Sequence, residues 1–237
     1  MYLSDMHTHS IASGHGTRCT IIDMSRKASA AGLRLLGITD HGPATLAAGT
    51  ASYFRSLTYS PRHHFGVEIM YGVELNILDT EGHVDLDQSL LDRMDYAIAS
   101  MHRQNFAPRT KDENTQAYLN VMKNPVVKIL GHSDNPAYPV DYDAIASRAG
   151  SLGVIFEINE ASLRPGSYRG DARSGALEIL RVSRKYDLPV LLSSDSHGPD
   201  HIADFTYSSL FVHEALFPEG MILNNQIPRL KAFLGTR

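Results

Sequence analysis

The chain has 237 residues, 43% of them hydrophobic, and a formal net charge of -4 at neutral pH. That is enough apolar material for one large α/β domain, and the acidic balance leaves no basic footprint for nucleic acid. Cys19 is the single cysteine, which excludes an internal disulfide and a cysteine-based zinc site. No apolar run reaches the roughly 18 residues of a membrane span, and the first residues show no secretory pattern. A cytoplasmic setting is therefore expected. Against this ordinary background stand 12 histidines and no tryptophan.

Seven short apolar runs read as strands buried on both faces, because they are rich in Val, Ile and Leu and lack polar alternation. Strand one, residues 2–6, runs into DMHTHS with His7 and His9, and the next loop, ASGHGT, adds His15. A helix is predicted over 21–31, with Gly32 at its C-cap. Strand two, 33–39, ends in ITDHG with Asp40 and His41. The segment 44–60 is poorly periodic and reads as a lid or substrate loop. Strand three, 68–77, carries YGVELN with Glu74, and strand four, 96–101, ends in ASMHR with His102 and Arg103. After a helix over 113–123, strand five, 126–130, leads into ILGHSDN with His132 and Asp134. A helix over 142–149 is capped by Gly150. Strand six, 154–158, passes into FEINEAS with Glu157 and Asn159. Arg164 lies in the loop beyond it, before a helix over 172–186. Strand seven, 190–193, ends in SSDSH with Asp195 and His197.

Strands alternating with helices predict a parallel sheet. In a parallel α/β barrel all the strand ends meet at one face, where loops build the active site. Nearly every strand here finishes in an imidazole or a carboxylate. In the extended HxH and DxH segments, alternate residues point the same way, so His7 pairs with His9 and Asp195 with His197. The candidate metal ligands are His7, His9, His15, His41, Glu74, His102, His132, Asp195 and His197. Imidazole with a minority of carboxylate suits Zn, and also Mn or Fe. Nine groups exceed the three that a catalytic zinc usually takes and fit two or three ions. Asp40 and Asp134 face away by strand parity and are expected to hold a ligand imidazole from behind. His63, His64, His83, His201 and His213 read mainly as surface residues.

These motifs resemble the PHP family, named for polymerase and histidinol phosphatase: HTH, the loop His15, TDHG, GVE, SMH, GHSD, EIN and SDSH occur in the family's order across nearly the whole chain. The resemblance implies a distorted (β/α)7 barrel, a single domain over 1–237, and a trinuclear metal centre. It would place His7, His9, Glu74 and Asp195 on one ion, Glu74, His102 and His132 on a second, and His15, His41 and His197 on a third. The expected function is a metal-dependent phosphatase in which a metal-bound hydroxide attacks a small phosphate monoester. Arg103 and Arg164 are the first candidates for gripping phosphate, with Arg18 and Arg169 behind them. The alternatives are a phosphodiesterase or nuclease, which the acidic charge disfavours, and an amidohydrolase-like C–N or lactone hydrolase. The latter is disfavoured by the short chain and the lack of a strand-end lysine. A nucleic-acid or membrane partner is not expected.

Overall fold

The computed structural model describes residues 2–235. Its strands fall into two mainly parallel sheets. The first contains β1 (Ser4–Asp5), β2 (Leu35–Ile38), β3 (His63–His64) and β4 (Val67–Tyr71), in the order β1-β2-β4-β3. The second contains β5 (Val73–Asn76), β6 (Ala97–Ser100), β7 (Val127–Leu130), β8 (Ile155–Asn159) and β9 (Val190–Ser193), in sequence order. Two isolated parallel bridges, Thr8 to Ser196 and His41 to Glu74, connect the sheets at their two flanks. The seven expected strand positions are thus all occupied, in a TIM-like α/β arrangement.

Strand three differs from its expectation. Residues 68–77 do not form one strand but divide at Gly72, so that β4 pairs with β2 and β5 pairs with β6. A side chain at Gly72 would lie 2.8 Å from the Tyr96 carbonyl oxygen. The missing Cβ lets the chain come close enough to β6 to change partner. The added strand β3 is antiparallel and consists of His63 and His64.

Each helix expected from the periodicity is present: α1 (Ile21–Ala30), α4 (Lys111–Val121), α5 (Tyr142–Leu152) and α7 (Arg173–Lys185). Capping boxes start α1 and α4, Thr20 with Asp23 and Thr110 with Glu113. Gly150 is not a cap. It stays inside α5 against Leu188, and Gly153, at φ +65°, takes the left-handed position. The segment 44–60 is not simply a loop: it contains α2 (Ala51–Leu57), which buries Phe54 and Leu57. The spacing of those two residues is too short to announce a helix. Four further α-helices among the described residues were not anticipated: α3 (Gln88–Leu91), α6 (Glu160–Leu163), α8 (Thr206–Glu214) and α9 (Ile227–Leu234).

Two apolar clusters hold the fold. The larger lies between sheets and helices. The smaller fills the space enclosed by the strands with Met6, Leu35, Met70, Tyr96, Ile98, Ile129, Ile155 and Leu191, and joins Leu223, Leu230 and Leu234 of the C-terminal segment. Gly37 leaves room there for Tyr96, whose hydroxyl donates to the Met6 carbonyl at 2.6 Å. No helix among the described residues is long and apolar enough to cross a membrane.

Candidate metal centre

The polar strand ends converge on Glu74, a fully buried carboxylate on β5. Oε1 of Glu74 lies 3.4 Å from Nε2 of His7, 3.4 Å from Nε2 of His102 and 2.9 Å from Nε2 of His132. Oε2 lies 2.6 Å from Nδ1 of His41 and 3.6 Å from Nε2 of His9. Five imidazoles from four strand ends, His7 and His9 sharing that of β1, therefore face one carboxylate. Asp195 faces the same group from β9, with Oδ1 3.2 Å from Nε2 of His9 and 3.7 Å from both Nε2 of His7 and Nδ1 of His197. His15 stacks on His41 and His197 at centroid distances of 4.8 and 5.0 Å. All nine residues singled out from the sequence thus occupy one cluster.

Hydrogen bonds behind the cluster set the orientation of three rings. Nδ1 of His7 donates to Oε1 of Glu157 at 2.7 Å, since a carboxylate can only accept. Nδ1 of His9 meets Oγ of Ser13 at 2.9 Å, and that hydroxyl spends its own proton on Asp40 at 2.7 Å, so His9 is the donor. Nδ1 of His102 donates to the amide oxygen of Asn76 at 2.7 Å, while the Asn76 amide nitrogen donates to Asp85 at 2.6 Å. All three rings accordingly turn Nε2 toward Glu74. Asp40 reaches His9 only through Ser13, and it also receives the hydroxyls of Ser10 and Tyr53. Asp134 holds no ligand ring, contrary to expectation. It is buried with neither carboxylate oxygen hydrogen-bonded, and burial pushes its pKa up to about 7.

The backbone is bent to serve this arrangement. His132 and Asp195 both adopt positive φ, +30° and +53°. Such conformations cost on the order of 1–3 kcal/mol for a residue with a Cβ and persist only where the surroundings enforce them. Glu157 enforces the first by accepting the His132 amide at 2.6 Å. Arg169 enforces the second, donating to Oδ2 of Asp195 at 2.7 Å.

The electrostatics of the cluster suit a bound cation. Burial opposes a charge on His7, but the carboxylates of Glu157, Glu74 and Asp195 outweigh it and hold its pKa well above the usual range. Burial likewise opposes ionisation of Glu74, and the facing His102, His41 and His7 hold its pKa far below that of an ordinary glutamate. Burial and the adjacent His197 and His41 keep His9 neutral, and burial lowers His15 and His132 to about 4. Nε2 of His7 and Nε2 of His9 are buried with no hydrogen-bond partner, and Nδ1 of His41 and Oε2 of Glu74, 2.6 Å apart, meet without the geometry of a hydrogen bond. Each such orphan costs free energy that a coordinated cation would recover. Three subsets, His7–His9–Asp195, His9–His41–His197 and His41–Glu74–His102, each bring their donor atoms within 4.8 Å of one another. The donors are imidazoles and carboxylates, so the cluster fits transition-metal cations.

A cavity of about 630 Å3 opens onto the cluster, lined by His15, His41, His102, His132 and His197 together with Arg103, Tyr168 and Arg169. Arg103 is exposed and in no ion pair among the described residues. Arg164 does not line this cavity; its Nη2 lies 3.0 Å from Asp204. Arg18 does not line it either. Arg169, a lesser candidate from sequence, is the buried arginine of the site. Glu157, Asn76 and Ser13 carry the ring orientations. FEIN hinted only at Glu157, and no local signal marks Ser13. His63, His64, His83 and His201 lie away from the cavity lining.

A parallel α/β fold with a histidine–carboxylate cluster on the C-terminal ends of its strands is the architecture of TIM-like hydrolases. The model of the PHP domain matches residues 5–163. The chain belongs to the PHP domain family. It is 34% identical over 236 residues to a protein named probable phosphatase from Clostridium novyi (strain NT), covering 100% of this chain and 96% of that protein. It is 38% identical over 231 residues to another so named from Caldanaerobacter subterraneus subsp. tengcongensis, covering 97% and 90%. Among solved structures, histidinol phosphate phosphatase from Lactococcus lactis, complexed with zinc, L-histidinol and phosphate, is similar at a TM-score of 0.65. That likeness covers 92% of this chain and 95% of the other at 17% identity, so it is one of fold.

Proposed function

We propose that the protein is a metal-dependent phosphatase that hydrolyses a small phosphate monoester. The observation that carries this reading is the set of buried donor atoms without a hydrogen bond on His7, His9, His41 and Glu74 at the floor of an open cavity. The names of the relatives support the phosphatase class. Three ions are proposed, zinc first, with manganese or iron as substitutes. His7, His9, Glu74 and Asp195 would hold one, Glu74, His102 and His132 the second, and His15, His41 and His197 the third. Glu74 suits the shared position because its two oxygens already face different imidazoles. When bound, the ions supply Lewis-acid charge for the phosphate oxygens and acidify a water for attack on phosphorus.

The chain's own groups position and select. Glu157, Ser13 and Asn76 keep the Nε2 atoms of His7, His9 and His102 turned inward. Arg169 holds Asp195 by one oxygen and leaves Oδ1 facing His7 and His9. Arg103 presents a guanidinium with no ion pair among the described residues to the cavity, where it can donate to two phosphate oxygens in bidentate fashion. The cavity is of the size that takes a small organic molecule. With its lone thiol, Cys19, and no disulfide, the chain suits a cytoplasmic setting.

The test is a panel of phosphomonoesters, phosphodiesters and lactones, assayed on protein stripped of metal and reloaded with Zn, Mn or Fe. Turnover of monoesters by reloaded protein alone is expected. Faster turnover of diesters or lactones, or full activity of the stripped protein, would defeat the reading.

A further inference from the structure

A second cavity, of about 420 Å3, opens at the opposite end of the strand ring, beside the residues that lead into β6 and β7. In parallel α/β barrels that face ordinarily serves stability rather than chemistry. Here it carries a charge at odds with a chain of net charge -4: Arg62, Arg93, Lys128 and Lys231 line the cavity against two carboxylates, Glu68 and Asp95. Both carboxylates are already engaged. Asp95 pairs with Arg62 and accepts the Tyr71 amide at 2.6 Å, and Glu68 lies 2.6 Å from Nζ of Lys231. Arg93 and Lys128 have no ion pair among the described residues. Arg93 is fixed through one nitrogen alone. Its Nη2 donates to Oγ1 of Thr58 and to the Tyr59 hydroxyl, both at 2.9 Å, with the guanidinium carbon 5.3 Å from the centre of the Tyr59 ring. The other N–H groups of that guanidinium are left for an acceptor from outside. Lys128 is half-buried, and its stem passes two glycines: a Cβ at Gly153 would lie 3.8 Å from Nζ, and one at Gly235 3.9 Å from Cε. A cation drawn partly out of water favours a counter-charge. Met70, Met94 and Leu234, all buried, give the cavity an apolar wall.

We infer that this cavity is a second binding site, for a small organic anion with a phosphate-type head and a short apolar body. Arg93 and Lys128 meet the head with charge-assisted hydrogen bonds. The body lies along Met70, Met94 and Leu234, and the cavity is of a size that takes a small molecule. None of these residues lines the cavity over the metal ligands, so the two sites fill independently. The site binds and does no chemistry: no water-activating group or candidate metal ligand is among its residues. It therefore stands apart from the phosphatase reading and does not depend on it.

Butylphosphonate and methylphosphonate are suitable probes, since their P–C bond is not an ester and resists hydrolysis. Each is titrated by calorimetry into zinc-loaded protein. Wild type should show a binding event that Arg93→Gln/Lys128→Gln weakens by about 100-fold, one factor of ten for each charged donor lost. Binding at the metal centre should be the same in both proteins. At the second cavity the butyl compound should bind about 10-fold tighter than the methyl one, because three more methylenes leave water. Arg93→Lys, which keeps the charge, should lose no more than about 10-fold, and so separates a lost contact from a damaged fold. Identical isotherms for wild type and the double variant, or no gain from the butyl chain, overturn the inference and leave the phosphatase reading untouched.

Discussion

The two ends of the strand ring use the same backbone for opposite purposes. At the N-terminal end, Met6, Leu35, Ile98, Ile129, Ile155 and Leu191 pack into a dry plug sealed by Leu223, Leu230 and Leu234. At the C-terminal end, the strands deliver Glu74, His132, Glu157 and Asp195 into buried space, with the partly exposed His102 at its rim. The plug satisfies itself by burying apolar surface. The polar end gathers carboxylates and imidazole donors into a cluster that fits cations, and two of its residues stand at positive φ. The difference shows where stability is made and where it is spent. One end can tolerate a strained polar cluster because the other is packed mainly with apolar side chains, its few polar groups hydrogen-bonded.

Breaking the polar end should abolish function while sparing the fold. Stripping the metal with a chelator is expected to lower monoester turnover by about 100-fold or more, with activity returning on reloading. Glu74→Gln should do the same irreversibly and reduce bound metal by two ions, measured by elemental analysis. A wild-type protein that binds a single ion under saturating zinc would break the trinuclear arrangement.

Breaking the plug should do the reverse. Leu230→Ala on α9 removes a fully buried side chain and should destabilise the protein by about 3 kcal/mol, read from urea unfolding. Metal content of the folded fraction should be unchanged. Loss of metal from the folded fraction would mean that the ends are not independent.

The polar end should also have its own pH signature in metal-free protein. Burial first, and then the nearby Arg169, lower the His132 pKa from 6.5 to about 4. The unfolded chain takes up a proton from pH 6.5 downward, whereas the folded chain refuses it until about pH 4. Stability from this group is therefore complete above pH 6.5 and declines as pH falls through that window, by on the order of 3 kcal/mol in all. The stability difference between wild type and His132→Gln should narrow or reverse with that decline. A difference independent of pH between 4 and 6.5 would rule out a buried neutral imidazole.

The smallest effect concerns orientation alone. Glu157→Gln keeps an acceptor for His7 but removes the charge, and should weaken metal affinity or activity by about 10- to 100-fold without unfolding the protein. An unchanged metal dissociation constant would show that the His7 ring needs no such anchor.

Much of this was legible along the chain. Each apolar run ends in a ligand-type residue, and in a parallel α/β fold a strand's last residue must reach the common face, so local order alone gathers His7, His9, His41, Glu74, His102, His132, Asp195 and His197. The capping boxes at Thr20 and Thr110 are equally local, each written within four residues, although periodicity alone begins the second helix only at 113. What lay beyond the sequence depends on which strands become neighbours. Glu157 anchors His7 across 150 positions, and Asn76 anchors His102 across 26. The arginines illustrate the same limit. Arg164 and Arg169 lie in one loop with no pattern to tell them apart, yet Arg164 turns to Asp204 and Arg169 is driven inward to Asp195. That choice follows from burial: a carboxylate sealed among imidazoles draws the guanidinium that can reach it, and only the folded chain decides which one can. The break at Gly72 has the same origin, since a missing Cβ becomes a change of strand partner only where Tyr96 of the neighbouring strand comes within 2.8 Å.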